Sequence, residues 1–207
     1  MVERLIASGF LKSADVKDAM LSVDRAMFFP PSAAMHAYED IAYPVGFGQT
    51  ISAPTVVSFM LEKLLLAPGM KVLEVGSGTG YNTALLSRMV GGKGRVIGFD
   101  LIPELVELAR KNLERCKALD NIELHAGDAS CGYAAQAPYD RIIVTAAMPK
   151  LDRRHPMVGQ LKPDGRIVAP VGDEFRQELV VYDKKSGTWD NVLPVIFVPL
   201  RGECGFR

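Results

Sequence analysis

The sequence predicts an α/β fold: a mostly parallel seven-stranded sheet with an antiparallel edge and an N-terminal helical extension. Three observations carry this prediction. The apolar run KVLEV at 71–75 empties into the alternating glycines Gly76, Gly78 and Gly80, and YNTALLSRMV then starts a helix, apolar at Ala84, Leu85 and Val90. Strand, glycine turn and helix in that order open a nucleotide-binding unit, because glycine reverses the chain tightly and lets a ligand sit against backbone amides. Four β-rich runs, at 71–75, 95–99, 122–126 and 140–145, are separated by segments long enough for crossovers, as parallel pairing requires. Three more, at 166–171, 178–183 and 192–200, follow at short spacing with a turn over KKSGTWDN, which suits antiparallel pairing.

The remaining elements follow in order. Residues 1–30 read as helical, with Ser13 as an N-cap, Val16, Ala19, Met20 and Val23 at i, i+3, i+4 and i+7, and Pro30 and Pro31 as the stop. The segment 42–54, AYPVGFGQTISAP, mixes glycine, proline and small polar residues without periodicity, so it is a loop or a short extended strand. A helix follows over 56–66. Between the second and third strands, 103–117 places Val106, Ala109, Leu113 and Cys116 on one face, with Glu107 four residues before Lys111. No internal repeat, low-complexity tract or linker divides the 207 residues, which suffice for one substantial core. A single domain over 1–207 is expected, with 1–53 as the extension and 54–207 as the α/β core.

Composition argues against several classes of partner. Lys+Arg and Asp+Glu both number 24, and no run of like charge stands out, which argues against nucleic acid, whose partners usually show a basic stripe. The N-terminal MVERLIASGFLKSADVKDAM carries charges every few residues, so it offers neither a secretion signal nor a membrane span. The three cysteines, Cys116, Cys131 and Cys204, are odd in number, widely spaced and without CxxC pairs or adjacent histidines. No metal site is expected, and a reducing, cytoplasmic compartment fits best.

The spacing of the glycine turn narrows the ligand. A dinucleotide fingerprint needs GxGxxG, but counting from Gly76 ends at Tyr81 and counting from Gly78 ends at Thr83. A Walker loop needs a Lys that is absent here. What remains is ExGxGxG from Glu74, which resembles the first motif of S-adenosylmethionine-dependent methyltransferases. Glu74 is then expected to attract the cationic methionine end of the cofactor, directly or through water. Asp100, 24 positions after Gly76 at the end of the second strand, is placed to accept the ribose hydroxyls, or alternatively to cap the helix that follows. Asp128, in HAGDAS, is placed to accept the adenine amino group, or to make an Asx turn beside Gly127. Ser52, ahead of Ala53 and Pro54, reads from local chemistry alone as a helix cap.

The loop GFGQTIS at 46–52, upstream of VLEVGSGTGYNTALLS, makes the chain resemble the protein-L-isoaspartate (D-aspartate) O-methyltransferases. The runs AYED, LIPELVELARKNLER, YDRIIVTAAMP, QLKPDGRIVAPVG, QELVVYD and FVPLRG match as well, and the resemblance covers nearly everything from about Val23 to Arg207. The resemblance implies a Rossmann-like class I S-adenosylmethionine-dependent methyltransferase fold. It further implies methyl transfer to the free α-carboxylate of isoaspartyl residues in damaged proteins and peptides, leaving S-adenosyl-L-homocysteine, and D-aspartyl residues are also possible acceptors. The ester then re-forms a succinimide spontaneously, giving the damaged protein another chance to return to normal aspartate. By the same resemblance Ser52 is the active-site serine, orienting the substrate carboxylate with Thr50 nearby. Gly76, Ser77, Gly78, Asp100, Leu101, Asp128 and Ala129 hold the cofactor, and Val198 and Pro199 lie along the substrate backbone. The segment ending at residue 53 thus includes a substrate loop. A monomer is expected, since a protein substrate needs an open approach. A different methyltransferase, a noncatalytic binding relative and a dehydrogenase are the rivals. Against the first, this chain lacks the Asn/Asp-Pro-Pro-aromatic run expected of base-modifying enzymes, since 145–149 reads TAAMP.

Overall fold

The structure, a computed structural model, describes residues 1–118 and 120–206. Arg207, the last residue of the expected domain, lies outside the described residues. The N-terminal part holds α1 (Val2–Ala7), α2 (Ala14–Ser22), two 3-10 turns (Arg25–Phe28 and Pro31–His36), β1 (Tyr43–Gly46) and β2 (Gln49–Ile51). The crossover region follows with α3 (Pro54–Leu64), β3 (Lys71–Val75), α4 (Tyr81–Val90), β4 (Arg95–Asp100), α5 (Pro103–Arg115), β5 (Ile122–Ala126) and β6 (Tyr139–Val144). The last elements are α6 (Pro156–Gly159), β7 (Leu161–Gly172), β8 (Gln177–Asp183) and β9 (Thr188–Val195).

Seven strands form one sheet in the order β5-β4-β3-β6-β7-β8-β9. The pairs from β5 through β7 are parallel, and β7–β8 and β8–β9 are antiparallel, as expected. Both faces are covered, which is why the parallel strands read as nearly continuous apolar runs. Val72 joins a core with Val16, Met20, Leu61, Leu85 and Ala109 on one side. Leu73 and Val75 join Ile97, Phe99, Ile142, Val144 and Met157 on the other.

Four expectations change. The helix expected over 1–30 breaks into α1 and α2, because Gly9 takes a positive φ of 76° and Leu5 O accepts both Phe10 N and Leu11 N. Ser13 does cap α2, accepting Val16 N at 3.4 Å, but α2 ends at Ser22, ahead of the proline pair. Segment 42–54 contains a β-hairpin, β1–β2, whose tip residues Gly46, Phe47 and Gly48 all have positive φ. The final strand runs over 188–195 instead of 192–200, so only 184–187 is left for the turn, and Trp189 stacks on Tyr182 at 4.1 Å. Beyond Val195 the Gln177 side chain takes over the pairing, accepting Phe197 N at 2.6 Å and donating to Phe197 O at 3.1 Å. Pro194 and Pro199 bring no N–H to a ladder, and the chain crosses to Ala147, whose N donates to Val198 O while Leu200 N donates to Ala147 O.

Smaller differences have similar causes. On α5, Glu107 pairs with Arg110 at 3.4 Å, the i+3 neighbour, and Cys116 sits at the helix end. Cys131 and Cys204 form a disulfide across 73 residues, with Cα atoms 5.2 Å apart. Sequence spacing gave no sign of that proximity, which arises when the chain beyond β9 returns to the loop after β5. With two of the three cysteines bonded, the cysteines no longer point to a reducing compartment. Among the described residues no helix is long and apolar enough to cross a membrane.

Glu74 sets where α4 starts. Its side chain is wholly buried in β3, with Oε1 accepting Asn82 Nδ2 at 2.9 Å and Oε2 accepting Thr83 Oγ1 at 2.5 Å. Asn82 and Thr83 lie in the first turn of α4, whose N-cap, Gly80, brings no side chain. Burial pushes the Glu74 pKa up to about 7, the Thr83 and Asn82 bonds pull against it, and Asp100 adds to the rise. From about pH 4.5 to 7 the unfolded chain ionises Glu74 while the folded chain holds its proton, so stability falls as pH rises through that window. The loss is about 3 kcal/mol. Glu74→Gln should flatten this slope in denaturant unfolding series run at pH 4.5 to 8; an unchanged slope would assign it to other groups.

Candidate active site

The site is built at the carboxyl ends of β3, β4 and β6, where the sheet leaves its turns open. Gly76 N and Ser77 N both donate to Phe99 O, at 2.8 and 2.9 Å, turning the chain away from β3 at once. Gly76 has a φ of 94°, and a Cβ there would come within 2.5 Å of Thr145 Oγ1, so the residue is glycine for both conformation and space. Thr145 Oγ1 in turn donates to Gly76 O. Asp100 Oδ2 accepts Gly78 N at 2.9 Å and Oδ1 accepts Ile102 N at 3.0 Å. One carboxylate thus holds the glycine turn and the entrance to α5. The N-cap position itself is Ile102. Burial pushes the Asp100 pKa up, against the amides of Ile102, Gly78 and Leu101.

Two adjoining cavities open here. Gln49, Gly76, Asp100 and Ala146 line both and form the seam between them. Thr50, Ser52, Ser77, Gly78 and Val198 line the first. Leu101, Asp128, Ala129 and Pro199 line the second. Of the residues expected at the site, only Glu74 faces neither. It is sealed behind Asn82, so direct contact with a bound ligand is ruled out in this arrangement, and only an indirect route through Asn82, which lines the first cavity, remains.

Three residues lining the first cavity, Ser77, Thr79 and Tyr81, carry buried hydroxyls without a hydrogen-bond partner among the described residues. Buried polar atoms are rarely left so, and here all three stand beside the first cavity. Asp128 does make the Asx contact, with Oδ1 accepting Ser130 N at 2.7 Å, and Oδ2 accepts Glu203 N at 2.8 Å. Desolvation raises its pKa, but the amides of Glu203 and Ser130 prevail and hold it below the usual carboxylate range. Each ionised oxygen retains a further lone pair for an amino group.

Ser52 is not the cap of α3. That position is Ala53, without a side-chain hydrogen bond. Asp40 does the capping, accepting Thr55 N at 2.8 Å and the Thr55 hydroxyl as well. The Ser52 hydroxyl makes no hydrogen bond among the described residues and lines the first cavity.

Sequence reasoning missed Gln49, Thr79, Tyr81, Asn82 and Thr145 as lining residues. Thr79 to Asn82 sit inside the turn motif, and Thr145 follows a parallel strand, so position at a strand's carboxyl end was the available signal. The histidines stay outside both cavities. His125 stacks on Phe99 at 4.9 Å, His155 accepts Met157 N, and His36 contacts Glu39. No cluster of metal-ligating side chains occurs among the described residues.

Comparison with known proteins agrees with this geometry. The family model described as protein-L-isoaspartate(D-aspartate) O-methyltransferase matches residues 1–205. A protein-L-isoaspartate O-methyltransferase of Hyperthermus butylicus is 48% identical, covering 100% of this chain and 89% of the relative. That of Methanothrix thermoacetophila is 47% identical over 99% and 97% of the two chains. Among solved structures, one from Plasmodium falciparum, described as a "putative protein-L-isoaspartate O-methyltransferase" in complex with S-adenosyl-L-homocysteine, superposes with a TM-score of 0.86 at 27% identity, covering 97% of this chain and 96% of that one. A match over nearly every residue, with both cavities formed from the turn and loop that suggested the resemblance, leaves one assignment: this chain belongs to the protein-L-isoaspartate(D-aspartate) O-methyltransferase family.

Proposed function

We propose that the protein methylates the free α-carboxylate of L-isoaspartyl residues in damaged proteins and peptides, using S-adenosylmethionine, and that Ser52 orients the carboxylate. The observation that carries this reading is the Ser52 hydroxyl, relieved of capping by Asp40 and lining the same cavity as the unpartnered Ser77 and Thr79 hydroxyls. The polar lining of the first cavity, with Asp100 on the seam and Asp128 in the second cavity, fits the amino-acid and nucleoside ends of the cofactor. When bound, S-adenosylmethionine supplies a methyl group made electrophilic by its sulfonium.

The protein's own part is binding and alignment. A substrate α-carboxylate, with a reference pKa of about 3.3 to 3.7, is ionised near neutrality and needs no general base. This suits a site whose cavities no histidine lines. Ser52 donates to the carboxylate, Thr50 flanks it on the exposed edge of the hairpin, and Val198 and Pro199 run beside it. Asp100 holds the ribose hydroxyls, Asp128 the adenine amino group, and Gly76, Ser77, Gly78, Leu101 and Ala129 shape the walls between. Orientation of this kind accounts for large rate effects without covalent catalysis, and nothing near Ser52 activates it as a nucleophile. The same reading has the chain act as one domain and one monomer in the cytoplasm, residues 1–53 bringing the substrate loop to a core that starts at 54.

With labelled S-adenosylmethionine and two peptides differing in one aspartyl or isoaspartyl linkage, base-labile methyl ester should form only on the isoaspartyl peptide. Equal labelling of both, or of neither, overturns the proposal. Asp100→Ala should weaken S-adenosyl-L-homocysteine binding in calorimetry by roughly tenfold to a hundredfold. Ser52→Ala should lower kcat/KM by about tenfold to a hundredfold and leave that affinity unchanged. A Ser52→Ala variant that only melts earlier would return the residue to a structural role.

A further inference from the structure

Arg25 is the largest wholly buried side chain among the described residues, at 0% exposure. Its guanidinium lies between two rings, with its carbon 5.2 Å from the Phe29 centroid and 4.8 Å from that of Tyr81. Nε donates to Ala37 O at 2.8 Å, Nη2 donates to Ser52 O at 2.7 Å, and Nη1 has no hydrogen-bond partner among the described residues. Arginine stays charged in proteins, and a buried cation without a carboxylate partner is expensive. Packing alone is satisfied more cheaply by an apolar side chain of similar volume. What the guanidinium does that such a chain does not is tie three segments together: the turn at Ala37, the end of the substrate loop at Ser52, and the first residue of α4, Tyr81, which lines the Ser52 cavity.

The clamp has a second jaw. Asp40, three residues after Ala37, holds Thr55, three residues after Ser52. The Ser52 backbone is therefore anchored on one side by Arg25 and on the other by the cap of α3. We infer that Arg25 is a positioning residue for methyl transfer, its guanidinium fixing the Ser52 carbonyl against the glycine-turn helix so that the Ser52 hydroxyl meets the substrate carboxylate. The inference rests on the reading of Ser52 given above. A planar fork with several fixed donors serves two carbonyls at once and stacks between rings, which a lysine ammonium does not.

The test is a double-mutant cycle with Arg25→Lys and Ser52→Ala, read as kcat/KM on an isoaspartyl peptide alongside S-adenosyl-L-homocysteine affinity. Arg25→Lys should lose about tenfold or more in kcat/KM, as small misplacements do, with affinity for S-adenosyl-L-homocysteine within about twofold of wild type. The double variant should be no slower than the slower single variant, because both remove the same alignment. Losses that multiply, or a cofactor affinity that falls in step with kcat/KM, overturn the role of Arg25. Wild-type turnover by Ser52→Ala overturns the Ser52 reading and this inference with it. If Arg25→Lys does not fold, Phe29→Leu, which removes one stacking face, should show the same pattern at smaller size, and an unchanged kcat/KM in that variant overturns the inference.

Discussion

The close approach of the Gly76 turn to Thr145 is the constraint on which the rest of the site depends. β3 lies between β4 and β6, and its continuation must pass between their ends without a side chain in the way. Two amides on Phe99 O and one on Asp100 hold the turn in a conformation that costs a flexible glycine segment considerable entropy. Once it is held, both cavities follow. The first lies over the turn against the hairpin, the second against the loop after β5, and Asp100 stands where they join.

Two carboxylates near this turn have been given opposite duties by their surroundings. Glu74, in the middle of β3, has no access to solvent and serves Asn82 and Thr83. Asp100, at the end of the neighbouring strand, keeps its oxygens at the surface of both cavities while bonding two amides. The motif letters ExGxGxG do not separate these roles, because they do not say on which side of the sheet a strand residue points. Alternation does: Glu74 shares a face with Val72, whose side chain joins the helix-packed core.

Much of the sheet was legible because its strands are buried on both faces, and a run such as KVLEV between crossovers has few other homes. The turn spacing and the loop at 46–52 likewise carried the site, since both lie within short stretches of chain. What escaped was long-range. The N-terminal helix broke at Gly9, where a single left-handed residue outweighed a plausible periodicity. Phe197 left the edge strand because a glutamine twenty residues earlier satisfied its backbone. The hydroxyl of Ser52 was freed by an aspartate twelve residues upstream, and its carbonyl is held by an arginine still further away. Local propensity is silent on each of these, as it is on a pair of cysteines that meet only when the sheet is complete.

That disulfide divides the molecule in a way the native contacts conceal. The ring closed between Cys131 and Cys204 contains β6, β7, β8 and β9, one unbroken half of the sheet, while β3, β4 and β5 lie wholly outside it. In the denatured chain the first half is a constrained loop and the second an open one, so ordering them costs different amounts of entropy. The halves meet along the β3–β6 pairing, and both ligand cavities sit at the end of that seam.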